Sequence, residues 1–449
     1  MRLSEGISRV ATTLFLVAIG CGGGSTAGPA GPAAPTTGAP ATTAGAGSTG
    51  DSTPTAGAPA APRHWNAVET NPQPGVGKDY LSDAMVLFRV VTCGGNGAIP
   101  QGLDPDVVNK HCARLTGLMQ GYRDKYLAKA EPFFASIRPK DLPPTVVYPF
   151  GGGDLLSALT TYPDAQEITT ISLEYAGDPR RVIKLTSKKD LEKNLKLFDD
   201  TMATLLSGDW NWTRNMEEMQ KNGLPGQIGS SLIGLVIHGY EPVSMRFFKL
   251  LRDGTVDYLD EAEIKAAENT KPEKLRAWGA PDWSDAFSNC EIRFRAQGGK
   301  GPVKVFRHIA ANLSDHKMTK DPKHLSKNPS LLAHLEAKGH VSALTRAASH
   351  LLWEDSFTLI RDYLIEHIEW MPSDSTGIPP PFAEAAGLVQ DTYGSFEGAY
   401  EPSDQGHKPQ YNEHFKALFA KNPPKPLDFR YGYPDVNKRG HMIVTRRVK

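Results

Sequence analysis

The segment that most limits this chain is one that cannot fold. Gly22 to Pro62 is built from Gly, Ala, Pro, Ser and Thr, with Asp51 as the single exception. A stretch with so little apolar surface cannot offset the entropy lost on ordering its backbone, so its composition predicts a disordered linker. As a flexible coil it would reach about 35 Å, and as extended polyproline II about 125 Å. A hydrophobic core must therefore be sought in residues 63–449. That length suits one large domain, with a possible subdivision near residue 325. There is no internal repeat and no second low-complexity linker.

What precedes the linker explains why a linker is there. Arg2 and Arg9 flank the start of a short apolar run, Val10 to Ile19. This run is too short to span about 30 Å of hydrocarbon, which takes roughly 20 residues, and it matches the h-region of a secretory signal. It ends in Ala18-Ile19-Gly20-Cys21. That tetrad resembles a lipobox, where bacteria attach diacylglycerol to a cysteine and cleave before it. Ala18 stands where leucine is more usual. The expectation is a lipoprotein signal peptide over 1–20, a lipidated Cys21 as mature N-terminus and a tether over 21–62. The body is then extracytoplasmic and membrane-anchored. Gly22 and Gly23 lack the aspartate that, in the enteric pattern, holds lipoproteins at the inner membrane. This favours the outer membrane in a cell that has one.

Charge narrows the partners. The chain has 50 Lys+Arg and 50 Asp+Glu, and only Arg2, Glu5, Arg9 and Asp51 fall before residue 63. The body is neutral, and a nucleic-acid binder would carry a basic excess. One basic cluster, Lys438, Arg439, Arg446, Arg447 and Lys449, closes the chain. It reads as a solvated tail, with contact to anionic headgroups as the alternative. Cys93, Cys112 and Cys290 remain after Cys21. In an oxidising compartment the nearest pair, Cys93 and Cys112, is expected to form a disulfide. Cys290 shares a strand face with Ile292 and Phe294, which predicts a buried, inert thiol. No CxxC supports a redox or zinc motif.

Hydrophobic periodicity predicts an α/β or α+β body with a mixed sheet and helices packed on it. Asp104-Pro105 starts a helix expected to run through about residue 129. Strands are expected at 145–150 and 168–173. They flank Gly151-Gly152-Gly153-Asp154 and a short helix, with Glu174 after the second strand, which is the skeleton of a βαβ unit. Ser187 caps a helix ending at Gly208. Leu232 to His238 reads as a buried strand, and hairpin turns are expected at Asp253-Gly254 and at Gly298–Gly301. Two helices follow, one carrying Val341, Leu344, Ala348 and Leu351, the other Phe357, Ile360, Leu364 and Ile368. The last 75 residues, rich in Pro, Gly and Tyr, read as mostly irregular.

No motif names a reaction. The glycine turn with Glu174 is superficially like a dinucleotide or S-adenosylmethionine site, but it lacks the G-x-G-x-x-G spacing. An exported protein also meets little of either molecule. Gly229-Ser230-Ser231-Leu232-Ile233-Gly234 is not the G-x-S-x-G elbow. There is no H-E-x-x-H, and His334, His340 and His350 do not share a helical face. No cofactor or metal is therefore expected. The candidate site residues are Asp154, Glu174, His238 and Glu241, each placed after an expected parallel strand. Glu354, Asp355 and Asp374 are further acids, near Trp353 and Trp370. Paired carboxylates can share acid and base roles in glycoside hydrolysis. The leading reading is a non-enzymatic envelope lipoprotein, a binding or structural module whose body meets an envelope protein or a glycan ligand. The alternative is a carboxylate-dependent hydrolase of envelope polysaccharide or peptidoglycan. A cofactor enzyme ranks third.

Two stretches carry a resemblance. Tyr148-Pro149-Phe150-Gly151-Gly152-Gly153-Asp154, leading to Ser172-Leu173-Glu174, is similar to a segment of an uncharacterised group of bacterial exported proteins. In that group the pattern Tyr-Pro-Phe-(Ser/Gly)-Gly-x-Asp precedes a helix and a strand ending in Leu-Glu. Residues 347–382 resemble the group's later segment, a helix pair before an Asp-Ser-Gly-Ile-Pro loop, except that Thr376 separates Ser375 from Gly377. The resemblance covers roughly a sixth of the chain. It implies shared architecture and no activity.

The N-terminal reading has a direct test. Mass spectrometry of the native protein should find Cys21 as an acylated N-terminus, and Cys21→Ser should abolish both the acylation and the cleavage. An unmodified mature chain that starts elsewhere would overturn it.

Overall fold

The structure, a computed structural model, describes residues 64–70, 75–207, 216, 218–219, 222–268, 285–318, 328–399 and 410–448. The signal peptide, Cys21, the linker, Gly208 and Lys449 lie outside the described residues. The described residues belong to one compact unit that starts at Pro62.

The strands are β1 Thr145–Pro149, β2 Glu167–Ser172, β3 Tyr240–Leu250, β4 Val256–Tyr258, β5 Asn289–Ala296, β6 Lys300–Ala310, β7 Val341–Ala343, β8 Ile368–Ser373, β9 Val389–Gly394 and β10 His441–Arg446. All ten join one mixed sheet in the order β4-β3-β5-β6-β2-β1-β7-β8-β10-β9. The central strands β6, β2, β1, β7 and β8 are parallel, and β5 and β10 run antiparallel on either side of them. The chain winds outward from β1 through β2 to β6, then returns to lay β7 on the other side of β1. Its winding therefore reverses between β1 and β7. Strands on either side of residue 325 share the sheet.

Helices cover both faces. On one lie α1 Leu81–Val90, α2 Pro105–Tyr122, α3 Ala128–Ile137, α4 Leu155–Thr161, α5 Lys188–Leu206, α6 Gly226–Ile237 and α7 Glu261–Glu268. On the other lie α8 Asp315–Met318, α9 Asn328–Glu336, α10 Thr358–His367 and α11 Pro380–Ala385. A last helix, α12 Gln410–Lys421, packs with Trp353 and Phe396. Double cover explains why β1 and β2 are buried at every position, the polar Glu167, Thr169, Thr170 and Ser172 of β2 included. Asp104 caps α2 by accepting from the Asp106 and Val107 amides, and Ser187 caps α5 through the Asp190 amide. A π-helical turn, Arg123–Leu127, joins α2 to α3, so the helical run goes on to residue 137.

Three expectations are corrected. Leu232 to His238 is no strand but the end of α6, in which every residue except Val236 is buried. A helix enclosed on all sides shows no apolar stripe. Val341, Leu344, Ala348 and Leu351 do not share a helix. They fall on β7, on a loop and on a short 3-10 turn at Leu351–Trp353. The last 75 residues hold β9, α12 and β10 as well as loops. Among the described residues no helix is long and apolar enough to cross a membrane.

A charge ladder lies inside the layer between the sheet and α9. Arg307 pairs with Glu291 at 2.8 Å and Glu167 at 2.9 Å. Glu291 also takes Arg293 at 2.7 Å and the Tyr258 hydroxyl at 2.6 Å, and Lys338 pairs with Glu167. Burial pushes the Glu167 carboxyl up, but Lys338 and Arg307 outweigh it and hold the group well below the usual carboxylate range. The C-terminal basic cluster is likewise engaged: Arg439 pairs with Asp435, Arg446 with Asp391 and Arg447 with Glu369.

Cys93 and Cys112 are joined by a disulfide, with Cα atoms 5.4 Å apart, while Cys290 is free and buried, its thiol pushed up by that burial. The bridge ties the turn after α1 to α2. Replacing both bridged cysteines by alanine should lower unfolding free energy by about 3 kcal/mol for a loop of this length. Urea denaturation would measure this, and an unchanged midpoint would contradict it.

Candidate functional site

In an open parallel sheet, ligands collect outside the carboxyl ends of the strands, at the point where winding reverses. Here that edge receives the residues after β1, β2, β6, β7 and β8. Phe150, Ala347, Ser349 and His350 all follow β1 or β7, and all have φ between 52° and 61°. Left-handed backbone at non-glycine residues is costly and tends to gather at functional sites.

The glycine turn after β1 is set by close approach. A Cβ on Gly153 would lie 2.6 Å from the Ser230 Cβ of α6. Asp154 then caps α4, accepting from the Ser157 amide at 3.1 Å and the Tyr148 hydroxyl at 3.0 Å. Across the reversal, Arg346 from the loop after β7 brings its Nε to 3.7 Å from Asp154 and donates to the Ser157 hydroxyl at 2.6 Å. Its guanidinium lies 5.7 Å from the Tyr431 ring centre. Burial opposes the Arg346 charge, and the Asp154 carboxylate more than restores it.

After β2 the chemistry differs. Glu174 is only 5 % exposed, and its Oε2 is buried with no hydrogen-bond partner. Its backbone carbonyl accepts from His308 Nε2 of β6 at 2.7 Å. With Nε2 donating, His308 Nδ1 is the acceptor, and it faces the Thr170 hydroxyl at 3.3 Å and the Gln227 side-chain nitrogen at 3.2 Å. Gln227, in the first turn of α6, is 1 % exposed and leaves its Oε1 unpaired. Ser172, the last residue of β2, leaves a buried hydroxyl unpaired. Three acceptors on β2 and α6 thus lack donors at one edge of the sheet.

On the far side of the edge the acid Asp374 is fully engaged. Asp374 accepts from the Ala347 and Tyr433 amides and from both the amide and hydroxyl of Thr376. Ser375 lies 3.4 Å from His350 Nε2, but it is fully buried and its amide donates to His441. Trp353 stacks on Tyr411 at 4.6 Å, Trp370 meets Tyr162 edge-on at 5.6 Å, and both tryptophans are buried, so neither is a platform for a sugar. Glu354 accepts from the Tyr411 hydroxyl, and Asp355 is exposed.

The four sequence candidates therefore do not form one site. Asp154 and Glu174 stand at the carboxyl edge. His238 caps the far end of α6, 3.2 Å from Thr160 at the end of α4, and burial pulls its imidazolium down to about 4. Glu241 pairs in register with Arg295 near the start of β3. At about 3.3 Å per residue that places it roughly 30 Å from the carboxyl edge. Reading α6 as a strand reversed its direction and carried His238 and Glu241 to the wrong end. Gln227, His308 and Arg346 were missed. Arg346 follows a strand taken for a helix, and Gln227 opens a helix not recognised as one. His308 could have been found, as a histidine at the end of an apolar strand.

Two other places are quieter. Cys93, His111 and Cys112 put potential metal ligands within 4.8 Å of one another, but the two sulfurs are bonded together. A groove of about 190 Å³ between α2 and α5 is lined by Lys110, Arg114, Lys188 and Lys196. Arg114 is taken by Asp199, Lys188 by Asp104 and Lys196 by Asp200. Comparison with known protein families, curated proteins and solved structures finds no match to this chain.

Arg346→Met should leave Asp154 as a buried charge without its cation and cost about 3–5 kcal/mol of stability. Arg346→Lys should recover only part of that, because a point ammonium cannot serve Asp154 and Ser157 together. Equal midpoints for wild type and Arg346→Met in chemical denaturation would contradict the pairing.

Proposed function

We propose that this chain is a lipid-anchored envelope protein whose body binds a small polar ligand over the carboxyl ends of β1, β2 and β6. One observation carries the reading: Glu174 Oε2, Gln227 Oε1 and the Ser172 hydroxyl are buried without partners around the His308 network. Each unmet buried polar group costs about 1–3 kcal/mol. Buried polar groups usually find a partner, water or a bound group included, and these three stand at the carboxyl edge, where ligands of such sheets collect. The hydrolase reading has less support. Asp154 is spent on a helix cap and an ion pair and Asp374 on four donors. The anchor follows from Cys21 and the tether behind it, and it leaves the body free to stand off a membrane.

A thermal-shift screen of the mature chain against sugars, nucleosides and amino acids tests this. Hits should lose their shift in the double variant Glu174→Gln/Gln227→Leu. They should keep it in Glu241→Gln, which lies at the opposite edge. Hits that ignore Glu174 and Gln227 would place binding elsewhere and end the proposal.

A further inference from the structure

We infer that the ligand presents a pair of vicinal hydroxyls to Glu174, as the ribose of a nucleoside does, and carries no diphosphate where it meets α4. This rests on the binding site proposed above and names what fills it.

The unpaired groups fix the first half. As a carboxylate Glu174 only accepts, as does Gln227 Oε1, and the Ser172 hydroxyl can do either, so a ligand that pairs with them brings donors. A carboxylate's two oxygens suit two neighbouring hydroxyls, and such charge-assisted bonds are the strong ones. Position adds to chemistry. Glu174 follows the second strand of a parallel run in the order β6-β2-β1-β7-β8, with a glycine turn after the first strand. In doubly wound sheets an acid about 20 residues past that turn takes ribose hydroxyls, and here Glu174 holds that place.

The second half comes from what stands at the start of α4. A diphosphate would need free amides there and no anion. Instead the Asp154 carboxylate takes the Ser157 amide, and Arg346, the nearest cation, is bound to Asp154 and Ser157. The glycine turn is pressed against Ser230. A dinucleotide would bring its phosphates to a buried carboxylate, whereas a bare nucleoside avoids that repulsion.

Isothermal titration of the mature chain with four probes tests the inference: adenosine, 2′-deoxyadenosine, NAD and glucose. Adenosine should bind. 2′-Deoxyadenosine should bind about tenfold more weakly or worse, because it leaves a site acceptor unpaired, and NAD should bind no better than adenosine. Glu174→Gln should erase the difference between adenosine and its deoxy analogue. Its melting temperature should not fall, since the change keeps the side chain's shape and Glu174 Oε2 has no partner to lose, and Ser172→Ala gives a second, milder variant. Glu174-dependent binding of glucose without adenosine would keep the diol and assign it to a free sugar, overturning the nucleoside. Equal binding of adenosine and 2′-deoxyadenosine, or binding of none of the four, would overturn the diol. Screening hits that still depend on Glu174 and Gln227 would then leave the site itself standing. Preference for NAD would overturn the exclusion of a diphosphate.

Discussion

The centre of this molecule is held by one ion pair. Asp154 follows β1 and Arg346 follows β7, so the pair bridges the two strands between which the winding reverses. At such a reversal the connections leave in opposite directions and neither covers the gap between the strand ends. Something in the loops must close it. Here a buried guanidinium does so, touching Asp154, Ser157 and the face of Tyr431. The desolvation this demands is offset only while every partner is in place. The position of α4, the path of the loop after β7 and the seating of Tyr431 all depend on it. Asp374 repeats the device one strand further on, fastening the Ala347, Thr376 and Tyr433 segments together. Asp374 thus ties the loops after β7 and β8 together, while the unmet acceptors of Glu174 and Gln227 stand at the β2 and β6 end.

The two faces of the sheet handle charge differently. Toward α1–α6 the sheet face is largely apolar down to the strand ends, and the buried Asp199 pairs with Arg114 between α5 and α2 rather than on the sheet. Toward α9 it carries the ladder of Lys338, Glu167, Arg307, Glu291 and Arg293. Charges alternate across neighbouring strands, so each sits between opposite signs. A ladder of that kind adds little net stability over apolar packing, but it penalises a shift of register, because any slip sets like charges side by side. β5 and β6, the strands joined by a tight glycine turn, are the ones whose register it guards.

How much of this was legible depended on burial. The βαβ unit could be read from residues 145–174 because its signals are local: two runs rich in β-branched residues, a glycine turn and a capping aspartate. α6 could not. Its sequence, GQIGSSLIGLVI, lacks a polar face because α4, β3 and α5 enclose it, so the 3.6-residue period that marks a surface helix is missing. Gly234 gives the reason in packing terms, since a Cβ there would lie 2.9 Å from the Leu156 amide nitrogen. β7 failed for the opposite reason. It is three residues long, and the apolar residues after it fell at helical spacing by chance while the backbone turned left-handed. Of the site, the two acids after β1 and β2 could be placed from sequence. Gln227, His308 and Arg346 could not be joined to them, because their proximity is made by strand order, which no local pattern encodes.

The disulfide has a mechanical side. α1 opens just after Asp79, which pairs with Arg246 on β3, and Tyr80 hydrogen-bonds the Met245 carbonyl. Tension arriving along the chain would load the Trp65–Asp141 and Asn66–Lys338 hydrogen bonds first; once these gave way it would reach the contacts of Asp79 and Tyr80 and could peel α1 from the sheet one bond at a time. The Cys93–Cys112 link stops that unzipping at the turn after α1. Beyond it the load passes by covalent bond into α2, and through α2 into the helical run that ends at residue 137. A pull on a tether would then strain a broad face of the body at once, and unravelling would have to begin against many contacts in parallel.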